Sequence, residues 1–223
     1  MASLTVENYV KAMFLIGNRD EEARPVATGE LAQALAVSPG TVTGMLKTLS
    51  EASLATYTPY EGARLTPAGL RLALTVLRRH RLLELFLSST LQMPWDEVHE
   101  EAEHLEHAVS ERLVDRIDAY LQFPAVDPHG DPIPRADGSL TEPQGESLSR
   151  IAPGDRFRLV RVIEQDKSFL RYLTECGLDL GIEGEVVENR SESGALVVRT
   201  GDKLVALGAD AASKLLVQLM GPG

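Results

Sequence analysis

The stretch VATGELAQALAVSPGTVTGMLKTLSEASL, residues 26–54, predicts two short helices joined by a tight turn. The first helix is predicted over residues 28–36. Ser38 is the expected N-cap of the second, with Pro39 in its first turn, where a missing N–H is tolerated. Apolar residues at helical spacing predict the buried stripe of this second helix. They are Val42, Met45, Leu46 and Leu49.

The outward face of the second helix is small, hydroxylated or basic, with no carboxylate before Glu51. Such a face suits the DNA major groove, because hydroxyls and Lys reach phosphates and small residues permit close approach. The next segment, LATYTPYEGARLTPAG, predicts two strands joined by a Gly-containing turn. We interpret residues 25–65 as a winged helix-turn-helix that binds double-stranded DNA; the alternative is a plain helical hairpin followed by a β-turn. The predicted DNA contacts are Ser38, Gly40, Thr41, Thr43, Lys47, Tyr60 and Arg64.

Composition excludes several classes of protein. The chain has 223 residues, enough for one large or two modest domains, and a single cysteine, Cys176. One cysteine excludes an internal disulfide framework and a multi-cysteine zinc or iron–sulfur site. No apolar run approaches the length of about 18 residues expected of a membrane span. The N-terminus lacks a basic region and a cleavage site, so we expect a cytoplasmic protein without a signal peptide.

The net charge of −11 argues against nucleic-acid binding only if the chain is taken whole. Residues 1–79 carry +1, residues 80–125 carry −7 and residues 126–223 carry −5. The acid is therefore concentrated in the middle segment, and the first segment can approach a polyanion.

The stretch VHEEAEHLEH, residues 98–107, is dense in imidazoles and carboxylates and holds no Lys or Arg. Read as a helix, it places His99, Glu103 and His107 one above another on a single face, with Glu106 beside them. A solvated charged helix usually mixes signs. A divalent metal, in contrast, needs such converging oxygen and nitrogen groups. The sequence therefore predicts metal ligands here; an acidic surface helix with incidental histidines is the alternative.

The N-terminal segment predicts an amphipathic helix over residues 5–16, because its apolar residues recur at helical spacing. Glu7 and Asn8 lie in the first turn. On the residues alone, both are expected to help cap the helix.

A long helix is predicted to begin after Thr66, at Pro67. Its apolar fraction is too high for one solvent-facing helix, so it should bury more than one side. It carries His80 and Glu84 at i,i+4, a pair that most often only stabilises a helix. With a further helix predicted over residues 110–123, it could supply the surface of a symmetric homodimer. Such a dimer would present two winged helices to a pseudo-palindromic site.

A winged helix, then RHRLLELFL, then VHEEAEHLEHAVS resembles the metal-dependent repressors typified by the diphtheria toxin repressor and the manganese transport regulator. The resemblance covers nearly the whole chain and implies two metal sites per subunit. It implies a primary site formed by Asn8, Glu103, Glu106 and His107, and raises Asn8 from helix cap to ligand. It implies a second site formed by His80, Glu84, His99 and a residue of the C-terminal domain. Glu164 aligns best with that residue, and Gln165 and Asp166 are alternatives.

The same resemblance bears on the metal. Iron-responsive relatives carry Cys at the position of Glu103, whereas manganese-responsive relatives carry Glu. Carboxylate, amide and imidazole form a hard ligand set, so we expect Mn²⁺ in preference to Fe²⁺. The segment DPHGDPIP, residues 127–134, resembles the family's stretch beside the second site, where an anion is held. Our hypothesis is that Asp127 or Asp131 replaces that anion and contacts the metal or Arg81; exposed turn aspartates are the alternative.

The C-terminal part alternates at period two in short strands punctuated by Gly, which predicts a small closed barrel. It resembles the SH3-like (FeoA-like) domain of longer family members. The predicted fold is therefore α+β: a winged helix-turn-helix over 1–72, an α-helical metal-binding and dimerisation domain over 73–140, a linker over 141–150 and the SH3-like domain over 151–223.

These features predict a metal-activated DNA-binding transcriptional regulator that represses metal-uptake genes, and not an enzyme. Two alternatives come from other classes. Helices bearing carboxylates and histidines also build di-metal enzymes, and a metal-storage protein would need the same ligands. Against an enzyme, the sequence shows no evident nucleophile, and a DNA-binding unit precedes the metal ligands.

Overall fold

The computed structural model describes residues 3–17, 24–141, 145–190 and 194–221. By its contacts the chain divides into two units. The first comprises residues 1–80, 106–109 and 134–139, and the second comprises residues 81–105, 110–133 and 140–223.

The first unit contains the predicted helix-turn-helix and wing. Ser38 caps the second helix of the motif, since its Oγ accepts the backbone N–H of Thr41 at 3.1 Å. The preceding helix ends two residues earlier than predicted, because Ala36 adopts a left-handed φ of 52° that cannot continue a helix. The elements are α1 (Leu4–Gly17), α2 (Thr28–Ala34), α3 (Pro39–Glu51), β1 (Ala55–Thr58) and β2 (Gly62–Leu65).

The core of this winged helix comes from the stripes read in the sequence. Three of the four predicted residues of α3 are fully buried, whereas Met45 is half-buried. Burial of one such side chain contributes about 1.5–3 kcal/mol. Helix α1 contacts α2 and β2. The fully buried members of this core include Val10, Leu31, Val42, Leu46 and Leu49.

Helix α4 (Pro67–Leu91) carries residues of both units. Thr66 caps it as predicted, with its Oγ accepting the N–H of Gly69 at 3.1 Å. Gly69 is required at this point, since a Cβ there would lie 1.9 Å from the carbonyl oxygen of Leu54.

The helix predicted from the His/Glu stretch is shorter in the structure. Helix α5 covers Val98–Leu105, so Glu106 and His107 lie in the turn that follows it. After this turn, Ser110 takes extended backbone angles and caps α6 (Glu111–Tyr120). Helix α6 also ends before its predicted limit, since Gln122 and Phe123 both have positive φ.

The C-terminal part of the second unit is an antiparallel sheet around one core. Its hydrogen-bonded order is β3-β8-β4-β5-β6-β7, so the described ladder ends at β3 and β7 and does not close. Inward side chains from these strands form the core, among them Phe157, Leu159, Val186, Val198 and Val217. The elements are β3 (Glu146–Ser147), β4 (Arg156–Val162), α7 (Lys167–Cys176), β5 (Glu183–Arg190), β6 (Ala195–Thr200), β7 (Lys203–Gly208), α8 (Ala209–Ser213) and β8 (Leu215–Leu219).

The loop before this sheet is anchored to β4. The N–H of Val162 donates to the carbonyl of His129 at 2.8 Å. Gly130 has a φ of 88°, and a Cβ there would lie 2.1 Å from the carbonyl oxygen of Val160. Only glycine fits this approach, and it holds the DPHGD segment against the strand.

Among the described helices, none combines the length and the apolar character needed to cross a bilayer.

Candidate metal centre

The carboxylate of Glu106 lies at the centre of a buried cluster in the first unit. It is 0% exposed, and Lys11 Nζ lies 2.7 Å from its Oε1 and 2.9 Å from its Oε2. His80 Nδ1 lies 2.7 Å from Oε2. A carboxylate only accepts, so in a neutral His80 the Nδ1–H donates and Nε2 carries the lone pair. The cluster therefore joins α1, α4 and the turn after α5.

Burial raises the pKa of Glu106, but the hydrogen bond from His80 and the charge of Lys11 outweigh that effect. The pKa therefore lies below its ordinary value, and the carboxylate is ionised. An ionised oxygen pair is the form that a cation needs.

Glu7 orients His107, the second predicted ligand in this cluster. Its Oε2 accepts a hydrogen bond from His107 Nδ1 at 2.7 Å, and its Oε1 lies 3.4 Å from Arg79. A histidine that donates through Nδ1 presents a lone pair at Nε2. The Nε2 of His107 is buried, has no hydrogen-bond partner among the described residues, and lies 3.2 Å from Glu106 Oε1.

The separation of these two lone-pair atoms tests whether the residues fit a divalent ion. Cis ligands of an octahedral ion with bonds of about 2.1 Å are about 3.0 Å apart. The 3.2 Å between Nε2 of His107 and Oε1 of Glu106 fits that spacing. Asn8, on α1, adds a further oxygen atom that can bind a metal. Its Oδ1 is buried and has no hydrogen-bond partner within the described part of the chain.

Glu7 and Asn8 therefore do not serve α1 as the caps that the residues alone favoured. Glu7 binds a histidine 100 positions away, and the Asn8 oxygen accepts no hydrogen bond from the described backbone.

The second unit brings together Glu84, His99 and Glu103. His99 Nδ1 lies 3.1 Å from Glu84 Oε1, and His99 Nε2 lies 3.8 Å from Glu103 Oε1. Glu84 is fully buried, whereas the side chains of His99 and Glu103 are 49% and 36% exposed. The resemblance places Glu103 in the primary site and His80 in the second; these two residues belong to different units, and their roles remain predictions.

A second cluster, which the sequence did not predict as a group, consists of Glu84, Asp127 and His129. All three are buried, and each offers one ligand atom within 4.8 Å of the others. His129 Nε2 lies 2.9 Å from the carbonyl oxygen of Trp95, so Nε2 carries the proton. His129 Nδ1 is left with its lone pair, buried and without a hydrogen-bond partner among the described residues. Carboxylate and imidazole groups are of the kind that binds a divalent metal.

Asp127 is crowded by other carboxylates. Burial raises its pKa most, and Glu84 and Asp131 raise it further, against the lowering effect of Arg81. The resulting pKa lies well above its usual range. Its Oδ1 accepts the backbone N–H of His129 and of Asp131 at 2.8 and 2.9 Å, which fixes the side chain. A bound cation would relieve the crowding.

Asp131 faces cations rather than solvent. Arg81 NH2 lies 3.3 Å from its Oδ2, Arg161 Nε lies 2.5 Å from its Oδ1, and Gln165 Nε2 donates to Oδ2 at 2.9 Å. Arg81 Nε also lies 3.6 Å from Asp127 Oδ2. Both aspartates are thus buried beside Arg81 and are not exposed turn residues.

Of the three C-terminal alternatives, Gln165 donates a hydrogen bond to Asp131, the aspartate next to this cluster. The carboxylate of Glu164 is exposed and accepts the N–H of Asp166 at 3.3 Å. Asp166 instead caps α7 through Ser168. Glu164 therefore remains only a predicted ligand.

Two residues at these sites escaped the sequence analysis. His129 was visible as the imidazole between two carboxylates in DPHGD, a spacing that could have marked it. Lys11 carried a weaker signal: it is the one charged residue between the buried Val10 and Met13.

The predicted DNA-contacting surface is largely exposed. Gly40, Thr41 and Lys47 are exposed on α3, and Thr43 is half-buried with its hydroxyl bonded to the Pro39 carbonyl. The Ser38 hydroxyl serves as the helix cap. Tyr60 is fully exposed at the tip of the wing with a φ of 69°, and Arg64 is exposed on β2.

Three successive segments of the chain match domains of known proteins. Residues 1–63 match the N-terminal DNA-binding domain of iron-dependent repressors, residues 66–135 match their metal-binding and dimerisation domain, and residues 146–219 match the FeoA domain. The HTH-type transcriptional regulator MntR of Bacillus pumilus is 31% identical over 123 residues, covering 55% of this chain and 83% of that protein. The chain belongs to the iron-dependent repressor family.

Two further relatives extend along nearly the whole of this repressor. The diphtheria toxin repressor of Corynebacterium efficiens is 27% identical over 231 residues, covering 96% of this chain and 95% of that protein. A solved manganese-dependent transcriptional repressor in complex with manganese superposes with a TM-score of 0.85. It is 38% identical and covers 96% of this chain and 100% of its own. The family, the α+β fold and the assignment to metal-dependent transcriptional regulation are thereby confirmed, and the relatives point away from an enzyme.

Proposed function

We propose that this repressor senses Mn²⁺ and binds its operator DNA when the ion is held by Asn8, Glu106 and His107. The observation that carries the proposal is the pair of buried, unpartnered lone-pair atoms, Asn8 Oδ1 and His107 Nε2, next to the ionised Glu106. The bound ion would supply a divalent charge that crosslinks these segments.

Amide, carboxylate and imidazole favour Mn²⁺ or Fe²⁺ over softer ions. Glu103, the further predicted ligand, is a carboxylate, and the one cysteine lies at the end of α7. Without a thiolate in the set, Mn²⁺ is the ion that we propose, with Fe²⁺ as the alternative. Manganese in the similar solved repressor is consistent with this choice.

The coupling to DNA follows from where the ligands lie. Asn8 belongs to α1, and α1 contacts α2 and β2 of the winged helix. Glu106 and His107 belong to the turn after α5, and they already hold Lys11 and Glu7 of α1. Ligands from both segments fix the position of α1, and with it the winged helix. Differential affinity of an ion for that conformation shifts the population, by about 1–3 kcal/mol of typical coupling.

We further propose a second metal site at Glu84, Asp127 and His129. The lone pair at His129 Nδ1 and the crowded carboxylate of Asp127 support it. His80, His99 and Glu164 stay predicted ligands of this second site, and Asp131 is a further candidate beside Asp127. The predicted total is therefore two ions per subunit.

The partner that we propose is double-stranded DNA with a pseudo-palindromic sequence, bound by a homodimer. The exposed, small and hydroxylated face of α3 supports major-groove binding. Two-fold symmetry of the protein would be mirrored in the half-sites. Repression of metal-uptake genes is the expected output.

The test is binding to duplexes selected from a random pool by the Mn²⁺-loaded protein. Wild-type repressor should bind them with Mn²⁺ and release them with chelator, whereas Glu106→Ala should not respond to Mn²⁺. His104→Ala is the matched control, because His104 is exposed on α5 and belongs to neither cluster. Equal DNA affinity of the wild type with and without Mn²⁺ would overturn the proposal. A parallel titration with Fe²⁺ decides between the two ions.

A further inference from the structure

Lys11 holds the same carboxylate oxygens that the metal would need. Its side chain is 9% exposed and that of Glu106 is 0% exposed, so the pair is shielded from water. The ammonium contacts both Oε1, at 2.7 Å, and Oε2, at 2.9 Å. One cation in contact with both oxygens occupies the position of a chelated ion.

The remaining contacts of Glu106 define what surrounds that position. Oε1 also faces His107 Nε2 at 3.2 Å, and Oε2 faces His80 Nδ1 at 2.7 Å. A divalent ion bound to either oxygen would therefore lie a few ångströms from Nζ. In a dry site, like charges at such a separation repel strongly. The ion and the ammonium cannot both keep short contacts with Glu106.

We infer that Lys11 is an internal competitor of the metal, which sets the concentration at which the repressor responds. The inference rests on the proposed function of Glu106 as a ligand. A metal must displace the ammonium before it gains the carboxylate, so the affinity of the primary site is lowered for every divalent ion. Ions that bind weakly and keep their water, such as Mg²⁺, then lack the affinity needed to displace the Lys11 ammonium.

The displaced ammonium also links the site to α1. Lys11 lies four residues after Glu7, on the face that carries the His107 contact, and three residues after Asn8. Loss of the Lys11–Glu106 contact removes one tie between α1 and the turn, while Asn8 supplies another through the metal. The metal therefore replaces the Lys11–Glu106 contact by a contact through Asn8. This replacement changes which residues position α1, and the proposed switch requires such a change.

The test compares Lys11→Met, which removes the charge at similar length, with Lys11→Arg, which keeps it. Direct Mn²⁺ binding is measured by equilibrium dialysis, and thermal melting is followed with and without Mn²⁺. Because a charged hydrogen bond must be broken by the incoming ion, we expect Lys11→Met to lower the dissociation constant for Mn²⁺ by about tenfold or more. Lys11→Arg should stay near the wild type.

The rise in melting temperature on addition of Mn²⁺ gives a second readout, which a merely structural lysine would not alter. Without Mn²⁺, Lys11→Met should melt at a lower temperature than the wild type, because buried Glu106 loses a partner. Its melting temperature should also rise more on addition of Mn²⁺ than that of the wild type does. If Lys11→Met does not fold without metal, Lys11→Gln, which keeps a hydrogen-bond donor without the charge, takes its place in the dialysis.

Unchanged or weaker Mn²⁺ binding by a folded, uncharged variant would overturn the role of Lys11 alone. A wild-type protein that binds no Mn²⁺ would instead overturn the proposed function on which the inference rests. The two failures are therefore distinguishable in the same dialysis experiment.

Discussion

His107 Nδ1 lies 2.7 Å from Glu7 Oε2, so a carboxylate of the first helix fixes the ring whose Nε2 faces Glu106. This is the carboxylate–histidine arrangement that orients metal ligands in proteins. Glu7 itself is held near Arg79 at 3.4 Å. Orientation of His107 therefore depends on α1, the helix that also carries Asn8 and Lys11.

Glu7→Gln should weaken Mn²⁺ binding while leaving the ligands in place. The amide can still accept from Nδ1, but it carries no charge to strengthen that hydrogen bond or to hold Arg79. Loss of such an outer partner typically costs about 10–100-fold in metal affinity. Equilibrium dialysis with Mn²⁺ measures the change. Glu101→Gln, an exposed position on α5, is the control; a Glu7→Gln protein with wild-type affinity would contradict the role of Glu7.

His129→Gln should remove one of two bound ions. The substitution deletes the Nδ1 lone pair that faces Glu84 and Asp127. Binding stoichiometry measured by dialysis is expected to fall from two ions per subunit to one, and the ion at Glu106 should remain. His104→Gln should leave both ions bound. If His129→Gln still binds two ions, the second cluster is not a metal site.

Asp127→Asn should stabilise the protein when no metal is added. Burial and the neighbouring Glu84 and Asp131 raise the pKa of Asp127, so folding disfavours its ionised form. For a carboxyl group with a raised pKa, stability is present at low pH and is lost as pH rises through the folded value. The asparagine keeps an oxygen to accept the two backbone N–H groups that Asp127 binds.

Thermal melting in the presence of chelator checks this at pH 5 and pH 8. The variant should melt higher than the wild type, and the gap should widen toward the higher pH. With Mn²⁺ the order should reverse, because the variant lacks a charged ligand. A variant that melts lower than the wild type at pH 8 without metal would show that the crowding of carboxylates is not destabilising.

Much of the architecture could be predicted from local sequence. Ser38 and Pro39 mark the start of α3 by capping chemistry, which needs only neighbouring residues. The end of α5 could not be predicted from the His/Glu stretch alone, because no Gly or Pro marks it.

Which residues come together at each site was less predictable than which residue types could bind a metal. Lys11 and Glu106 are 95 positions apart, and nothing local in either segment signals the contact. A lysine on a helix is usually solvated, so only tertiary packing identifies Lys11 as buried. His129 lies in an irregular loop, where periodicity carries no information about the direction of a side chain. In both cases the decisive interaction is long-range.

Lys47→Gln should weaken DNA binding without changing metal binding. Lys47 is exposed on α3 beside Thr43 and Gly44, where a groove-bound helix would bring it near phosphates. Each lost phosphate contact reduces the slope of log affinity against log salt concentration by about 1. Fluorescence anisotropy with a selected duplex, at several salt concentrations and saturating Mn²⁺, measures this slope.

Lys203→Gln, exposed on β7 of the C-terminal sheet, is the control and should keep the wild-type slope. A wild-type slope for Lys47→Gln would place the phosphate contacts elsewhere on the winged helix, whereas lost Mn²⁺ binding would mean that the substitution disturbs more than the DNA-contacting face.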